Sequence, residues 1–214
     1  GGMQNFGDNV AIRVSDLKIK NAALDLIVGK DRQGNVQKAM QGGCVYATGR
    51  ISIENSYIHA GIYSTLGQGA AFYAALQGQG GTTCPDSMIY AESDVLQAGR
   101  TICLDGVDTT FSVKNSVLKA KSNQYAFSGY NYAKPTFESS LVELESKDIV
   151  MRGPTFGTVS GFTKITATDK NGNVTTYNPG DDLSTLSADS RKVVIESPVH
   201  SHCVCGNNTD SGDH

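Results

Sequence analysis

The densest set of chemistry-bearing residues is His200-Ser-His-Cys-Val-Cys205, with His214 closing the chain. Imidazole nitrogens and thiolates are the usual ligands of tetrahedral zinc, and His200, His202, Cys203 and Cys205 supply four of them. Their spacing is tighter than the C-x2–4-C and H-x3–5-H pairs of structural zinc sites, and the same residues also allow a short-loop disulfide or incidental metal capture. Cys44, Cys84 and Cys103 bring the total to five, an odd number that argues against a fully paired disulfide framework. Cys44 opens a strand and reads as a small core side chain, whereas Cys103 reads as outward-facing. Gly78-Gln-Gly-Gly81 lacks a phosphate-loop Lys and does not complete G-x-G-x-x-G, so nucleotide binding is not supported.

The elements that position such groups follow first from composition. The 214 residues suit one domain of moderate size. Eighteen Lys and Arg against 21 Asp and Glu give a net charge of -3, which leaves no electrostatic footprint for nucleic acid or an anionic membrane. No apolar run approaches the roughly 18 residues that a spanning helix needs. The start, Gly1-Gly2-Met3-Gln4-Asn5, lacks the basic-then-apolar pattern of a signal peptide and reads as a cut end. Charged residues are 18%, below the usual quarter, and there are 24 Gly, which favours turn-rich β structure over a helical bundle.

Two phrases repeat. The longer begins at Ile12, Ile51, Ile89, Phe111 and Pro135 and runs ten residues, as in Ile51-Ser-Ile-Glu-Asn-Ser-Tyr-Ile-His-Ala60. Apolar side chains fall at its first, third and eighth positions and Asn, Ser or Asp at its fifth: a strand, a polar bend and a second strand. The shorter phrase is apolar-x-apolar-x-Gly, ending at Gly49, Gly106, Gly129 and Gly153. Both return at a period near 23 in the later repeats. Three short strands per repeat is one rung of a stacked coil whose rungs lie about 4.8 Å apart and share one core. The inward column would be Ile51, Ile53, Ile58, Ile89, Ala91, Leu96, Phe111, Val113 and Leu118, with Asn55, Ser93, Asn115 and Ser139 as a polar ladder at a bend. An antiparallel sandwich also alternates and turns often, but its strands do not usually repeat at fixed phase.

The expected fold class is therefore all-β: a right-handed parallel β-helix, a single-stranded solenoid, with a C-terminal β-hairpin cap. Residues 1–153 would form the repeats, with inserted loops at 30–41 and 61–86; within the latter, 67–81 also reads as a degenerate rung or a short helix. Residues 154–198 would form the cap, around a hairpin turn at Asn171-Gly172 with Val193-Val-Ile195 following, and 199–214 a His/Cys-rich tail.

Over residues 12–153 the pattern resembles the pectate-lyase-like superfamily of right-handed parallel β-helices, and more narrowly the repeat regions of bacterial cell-surface proteins. Val199-His-Ser-His-Cys-Val-Cys-Gly206 looks like a His/Cys motif of long modular surface proteins of Gram-positive bacteria. The resemblance implies an extracellular, cell-surface location and membership of a larger modular protein. It also implies either polysaccharide lyases, with acidic clusters holding calcium and an Arg or Lys base, or noncatalytic adhesins and polysaccharide-binding modules.

If Glu54 and Glu92 sat on adjacent rungs they could share a calcium ion, with Lys114 as the nearest base. Alternatively Lys114 bridges Glu92 and Glu138 across strands as ordinary surface charge. Tyr46 and Tyr90 offer aromatic planes for sugars, Tyr57 and the Tyr130-Asn131-Tyr132 loop add more, and Asp105 adds an acceptor. His59 reads as solvent-facing. The expectation is a noncatalytic module for adhesion or polysaccharide and host-glycan binding, with weak ligand contacts at Tyr46, Glu54, Tyr90, Glu92, Asp105 and Lys114. A calcium-dependent lyase acting on uronate polymers and a purely structural spacer are the alternatives. Calcium and zinc are the cofactors such residues could hold; neither a nucleic-acid partner nor membrane insertion is expected.

Overall fold

Runs in which every second residue is apolar become strands here, and Asn-Ser or Ser-Ser pairs turn the chain between them. The computed structural model describes residues 10–29, 33–35, 42–64, 68–75, 80–85, 87–95, 98–105, 109–129 and 133–197. The chain passes through three sheets in turn. Its first circuit is β1 (Val10–Val14), β2 (Leu17–Lys20) and β3 (Ala23–Val28); the second is β4 (Gly42–Ala47), β5 (Ile51–Glu54) and β6 (Tyr57–Ser64). The third is β7 (Gln68–Ala75), β8 (Gly80–Pro85) and β9 (Met88–Val95), and the fourth β10 (Ala98–Asp105), β11 (Thr109–Lys114) and β12 (Val117–Ser122). The fifth is β13 (Tyr125–Gly129), β14 (Thr136–Glu138) and β15 (Leu141–Ser146); β16 (Ile149–Arg152) and β17 (Val159–Ser160) begin a sixth.

The first sheet runs β1-β4-β7-β10-β13-β16 and the second β2-β5-β8-β11-β14-β17, each strand parallel to its neighbours. The third runs β3-β6-β9-β12-β15 in parallel and then turns antiparallel. Its last members are β20 (Lys192–Glu196), β18 (Lys164–Thr168) and β19 (Val174–Tyr177), with β20 against β15 and β18 paired to both β19 and β20. Asn171 and Gly172 lie in the β18–β19 turn, where Gly172 has φ +84°. Among the described residues there is no α-helix; Leu183–Thr185 forms one 3-10 turn, capped by Asp182. The protein is thus all-β, built on parallel sheets.

One apolar core serves all three sheets. Ile51, Ile53, Ile58, Val113 and Leu118 are fully buried and Ile89, Ala91 and Phe111 nearly so. Leu96 lies outside the described residues. The first sheet adds Val45, Phe72, Ile102, Phe127 and Met151 in one register column. Phe111 packs edge-on against Phe127 at 4.9 Å between ring centroids; each such ring contributes about 1.5–3 kcal/mol by leaving water. Cys44 is buried with Sγ 3.2 Å from the carbonyl oxygens of Leu26 and Gly61, and burial pushes its thiol up to about 12. Cys103 sits on the opposite face of the first sheet but is also buried, in a small cluster with Ala70 and Tyr73.

Three expectations are corrected by the register. The copies starting at Ile12 and Ile89 are out of phase: Leu17, not Ile12, pairs with Ile51, and Ile89 pairs with Ile58 in the third sheet. The Val45 and Ile102 copies of the short phrase align with Phe127 and Met151, two residues on from Tyr125 and Ile149. Period-2 alternation is the same in every sheet, so it does not reveal which sheet a stretch belongs to. Residues 61–86 are not an inserted loop but carry the end of β6, then β7 and β8; a strand rich in Gly, Ala and Thr fills a narrow interior with little hydrophobic signal. The 30–41 segment lies largely outside the described residues.

The bend between the second and third sheets is set by a ladder that holds three of the expected members, Asn55, Asn115 and Ser139, whereas Ser93 belongs to the third sheet. Asn21, Asn55, Asn115 and Ser139 all have φ between 43° and 52°, and Gly161 has φ +65° above Ser139. A Cβ at Gly161 would stand 2.2 Å from Ser139 Oγ, so glycine is required there. Next to this column, the buried hydroxyls of Ser56, Ser87, Ser116 and Ser140 each accept the backbone N–H of the preceding circuit, from Ala22, Ser56, Ser87 and Ser116. Ser56, Ser116 and Ser140 also donate to the carbonyl two residues back.

Candidate functional site

Side chains that point away from the core form three outer faces, and the expected ligand residues are divided among them. Tyr46 is on the first sheet, its ring stacked on Tyr73 at 5.0 Å and 6° with Arg13 over it at 5.6 Å. Asp105 ends β10 in the same sheet; its side chain lies outside the described residues. Glu54 and Lys114 are on the second sheet. Glu54 takes an ion pair from Lys20 at 2.9 Å, and that hydrogen bond holds its carboxyl below the ordinary range. Lys114 pairs with Glu138 at 3.3 Å. Glu92 is on the third sheet, between Gly61 and Lys121. Glu54 and Lys114 are therefore on a different sheet from Glu92, and the register does not bring the three together. His200, His202, Cys203 and Cys205 lie outside the described residues, as do Tyr130 and Tyr132. Among the described residues no three His, Cys, Asp or Glu side chains converge as a metal cluster.

Tyr90 and Glu92 do come together, on the outer face of the third sheet. Across the third sheet Asp25, His59, Tyr90, Lys119 and Glu143 stand side by side, and the next column holds Ile27, Gly61, Glu92, Lys121 and Glu145. Parallel pairing in register stacks position on position, so a polar side chain every second residue becomes a row across the strands. His59 links two circuits, with Nδ1 3.0 Å from Asp25 and Nε2 3.8 Å from Glu92. Lys119 lies over the Tyr90 ring at 5.5 Å and reaches Glu143 at 3.6 Å, and Tyr57 meets Tyr90 edge-on at 5.8 Å. His59, Tyr90, Glu92, Lys119, Glu143 and Glu145 line a shallow groove of about 190 Å³.

The groove offers ammonium donors, carboxylate acceptors and a phenol ring within one open surface, which suits hydrogen bonding to a polyhydroxylated ligand. His59 is a member that sequence reasoning set aside. The copy starting at Ile89 is out of phase, which hid the register partner of His59, Tyr90. The dipeptide signal could have found it, since Asn55-Ser56, Asn115-Ser116 and Ser139-Ser140 mark the same bend, with Ser87 in the same hydroxyl ladder.

Comparison with protein families, with curated proteins and with solved structures gave no match to this chain. No helix among the described residues is long and apolar enough to cross a membrane.

Proposed function

We propose that the chain is a right-handed parallel β-helix, the repeat module of a secreted bacterial surface protein, which binds polysaccharide or a host- or cell-surface glycan without chemical turnover. Support for the β-helix comes from the cyclic order of strands through three parallel sheets over a single core. The extracellular location rests on the likeness of Val199–Gly206 to tails of modular surface proteins. The observation that carries binding is the groove on the third sheet, where Tyr90 stands in one row with His59, Lys119 and Glu143 and Glu92 stands in the row beside it. A glycan array probed with the whole chain tests it. Binding to at least one plant, mucin or microbial glycan, weakened about tenfold or more by Tyr90→Ala, is the expected result. Silence across all glycan classes overturns it.

A further inference from the structure

The two ends of the stack are finished differently. Where β15 and β16 lie, β20 covers β15, and the Val150 and Met151 N–H groups donate to the carbonyls of Ser190 and Ala188. At the opposite end β1, β2 and β3 are each the outermost strand of their sheet, and among the described residues no strand pairs with their outer edges.

Burial follows the same contrast. Inward side chains of later circuits, such as Val45, Ile53, Leu104 and Phe137, are fully or almost fully buried. In the first circuit Ile12, Val14, Leu17, Leu24, Leu26 and Val28 pack on the core yet remain only half-buried. Ile27, on the outer face of β3, is 39% exposed. A free strand edge that carries apolar side chains is a template for another strand.

We propose that this end binds the same end of a second copy of the chain, closing a two-fold dimer whose three strand pairs cover the half-exposed layer. A two-fold axis across the end reverses strand direction, so all three pairs are antiparallel. The axis crosses one sheet, whose first strand meets its own copy, while the other two sheets exchange partners. The outward charges select that sheet. Arg13 on β1, Lys18 and Lys20 on β2 and Asp25 on β3 are all exposed. With β2 on its own copy, lysines face lysines; with β3 on its own copy, Asp25 nears Asp25 and Arg13 nears Lys18 and Lys20. With β1 on its own copy, β2 runs beside the second copy's β3, and Lys18 and Lys20 stand along Asp25. Ile12 then sits at the axis and Arg13 falls opposite Ala11. Growth into a filament would need the other end, which is covered at the first and third sheets.

Three short edges make a small contact, so a dissociation constant on the order of 10–100 µM is expected. Sedimentation velocity of the full chain, from about one-tenth to ten times that range, tests this with wild type, Lys18→Asp, Asp25→Lys and the double variant. The expected result is a monomer that becomes a dimer as concentration rises. Each single variant should weaken the dimer about five- to tenfold, since one substitution acts twice across a two-fold axis, and the double variant should restore it. Monomer at every concentration, or growth beyond two copies, overturns the proposal. So does a dimer that neither single variant weakens, or a double variant that dimerises no better than the singles. Matching melting temperatures among the four proteins show that the readout is association and not folding; a variant that melts lower is replaced by Lys18→Gln or Asp25→Asn, for which a two- to threefold loss is expected and no loss overturns the pairing.

Discussion

Two edges of the stack are built on buried serines, and they are finished in different ways. Between the second and third sheets, Ser56, Ser87, Ser116 and Ser140 take the N–H of the circuit before them, level after level. Between the third and first sheets, Ser122 and Ser146 complete their bonds but Ser93 does not. The first edge is a structural seam, whose hydroxyls are consumed by the repeat itself. The second is interrupted at one level, where Ser93 Oγ has no hydrogen-bond partner among the described residues. The lesson is that one residue type at one repeating position strengthens the stack where its bonds are complete and adds nothing where they are not.

The largest effect should come from cutting the complete seam. Ser116→Ala removes the acceptor of the buried Ser87 N–H and should cost about 1–3 kcal/mol in urea unfolding. Asn115→Val tests the bend itself: a β-branched residue at φ +46° should cost about 1–2 kcal/mol, while Asn115→Gly should cost much less. The contrast between the edges is sharpened by Ser122→Ala, which should lose about 1 kcal/mol, against Ser93→Ala, which should lose nothing or gain stability. Equal losses at both would erase the comparison.

The smallest effect concerns the antiparallel end, where no serine seam exists and a carboxylate closes the β18–β19 turn. Asp169 accepts from the Asn173 side chain at 2.9 Å and from Asn173 N and Asn171 N, bonds that hold its carboxyl below the ordinary value near 3.8. A lowered native value means the stabilisation is complete above the unfolded value and is lost as pH falls through the native one. Amide exchange in the turn should therefore quicken below about pH 4, and Asp169→Asn should flatten that pH dependence.

Much of the fold was legible. Alternating apolar residues in Ile51–Ala60 and Phe111–Ala120 marked inward positions that are buried, and the polar fifth position marked a bend with positive φ at Asn55, Asn115 and Ser139. The Gly- and Ala-rich third circuit was not legible as strand, because Ala70, Ala71 and Thr82 give little hydrophobic contrast. Of the candidate site, Tyr90 and Glu92 were found and His59 was passed over. Glu54 and Lys114 were wrongly joined to Glu92 by a shift of the repeat by one strand.

The cysteine and histidine counts that first drew attention to the tail say which metals or disulfides its chemistry allows, and nothing further. By itself, the sequence determined an all-β chain of short strands, the inward and outward identity of most side chains, and the residue types at the bends. These are local properties, carried by period-2 alternation and by the backbone angles that Asn, Ser and Gly tolerate. Only the tertiary structure decided which strand lies beside which. That choice set Asp25, His59, Tyr90 and Lys119 in one row and left the Ser93 hydroxyl without a hydrogen-bond partner among the described residues. Register between circuits depends on loop lengths that vary from circuit to circuit, and no local pattern encodes it.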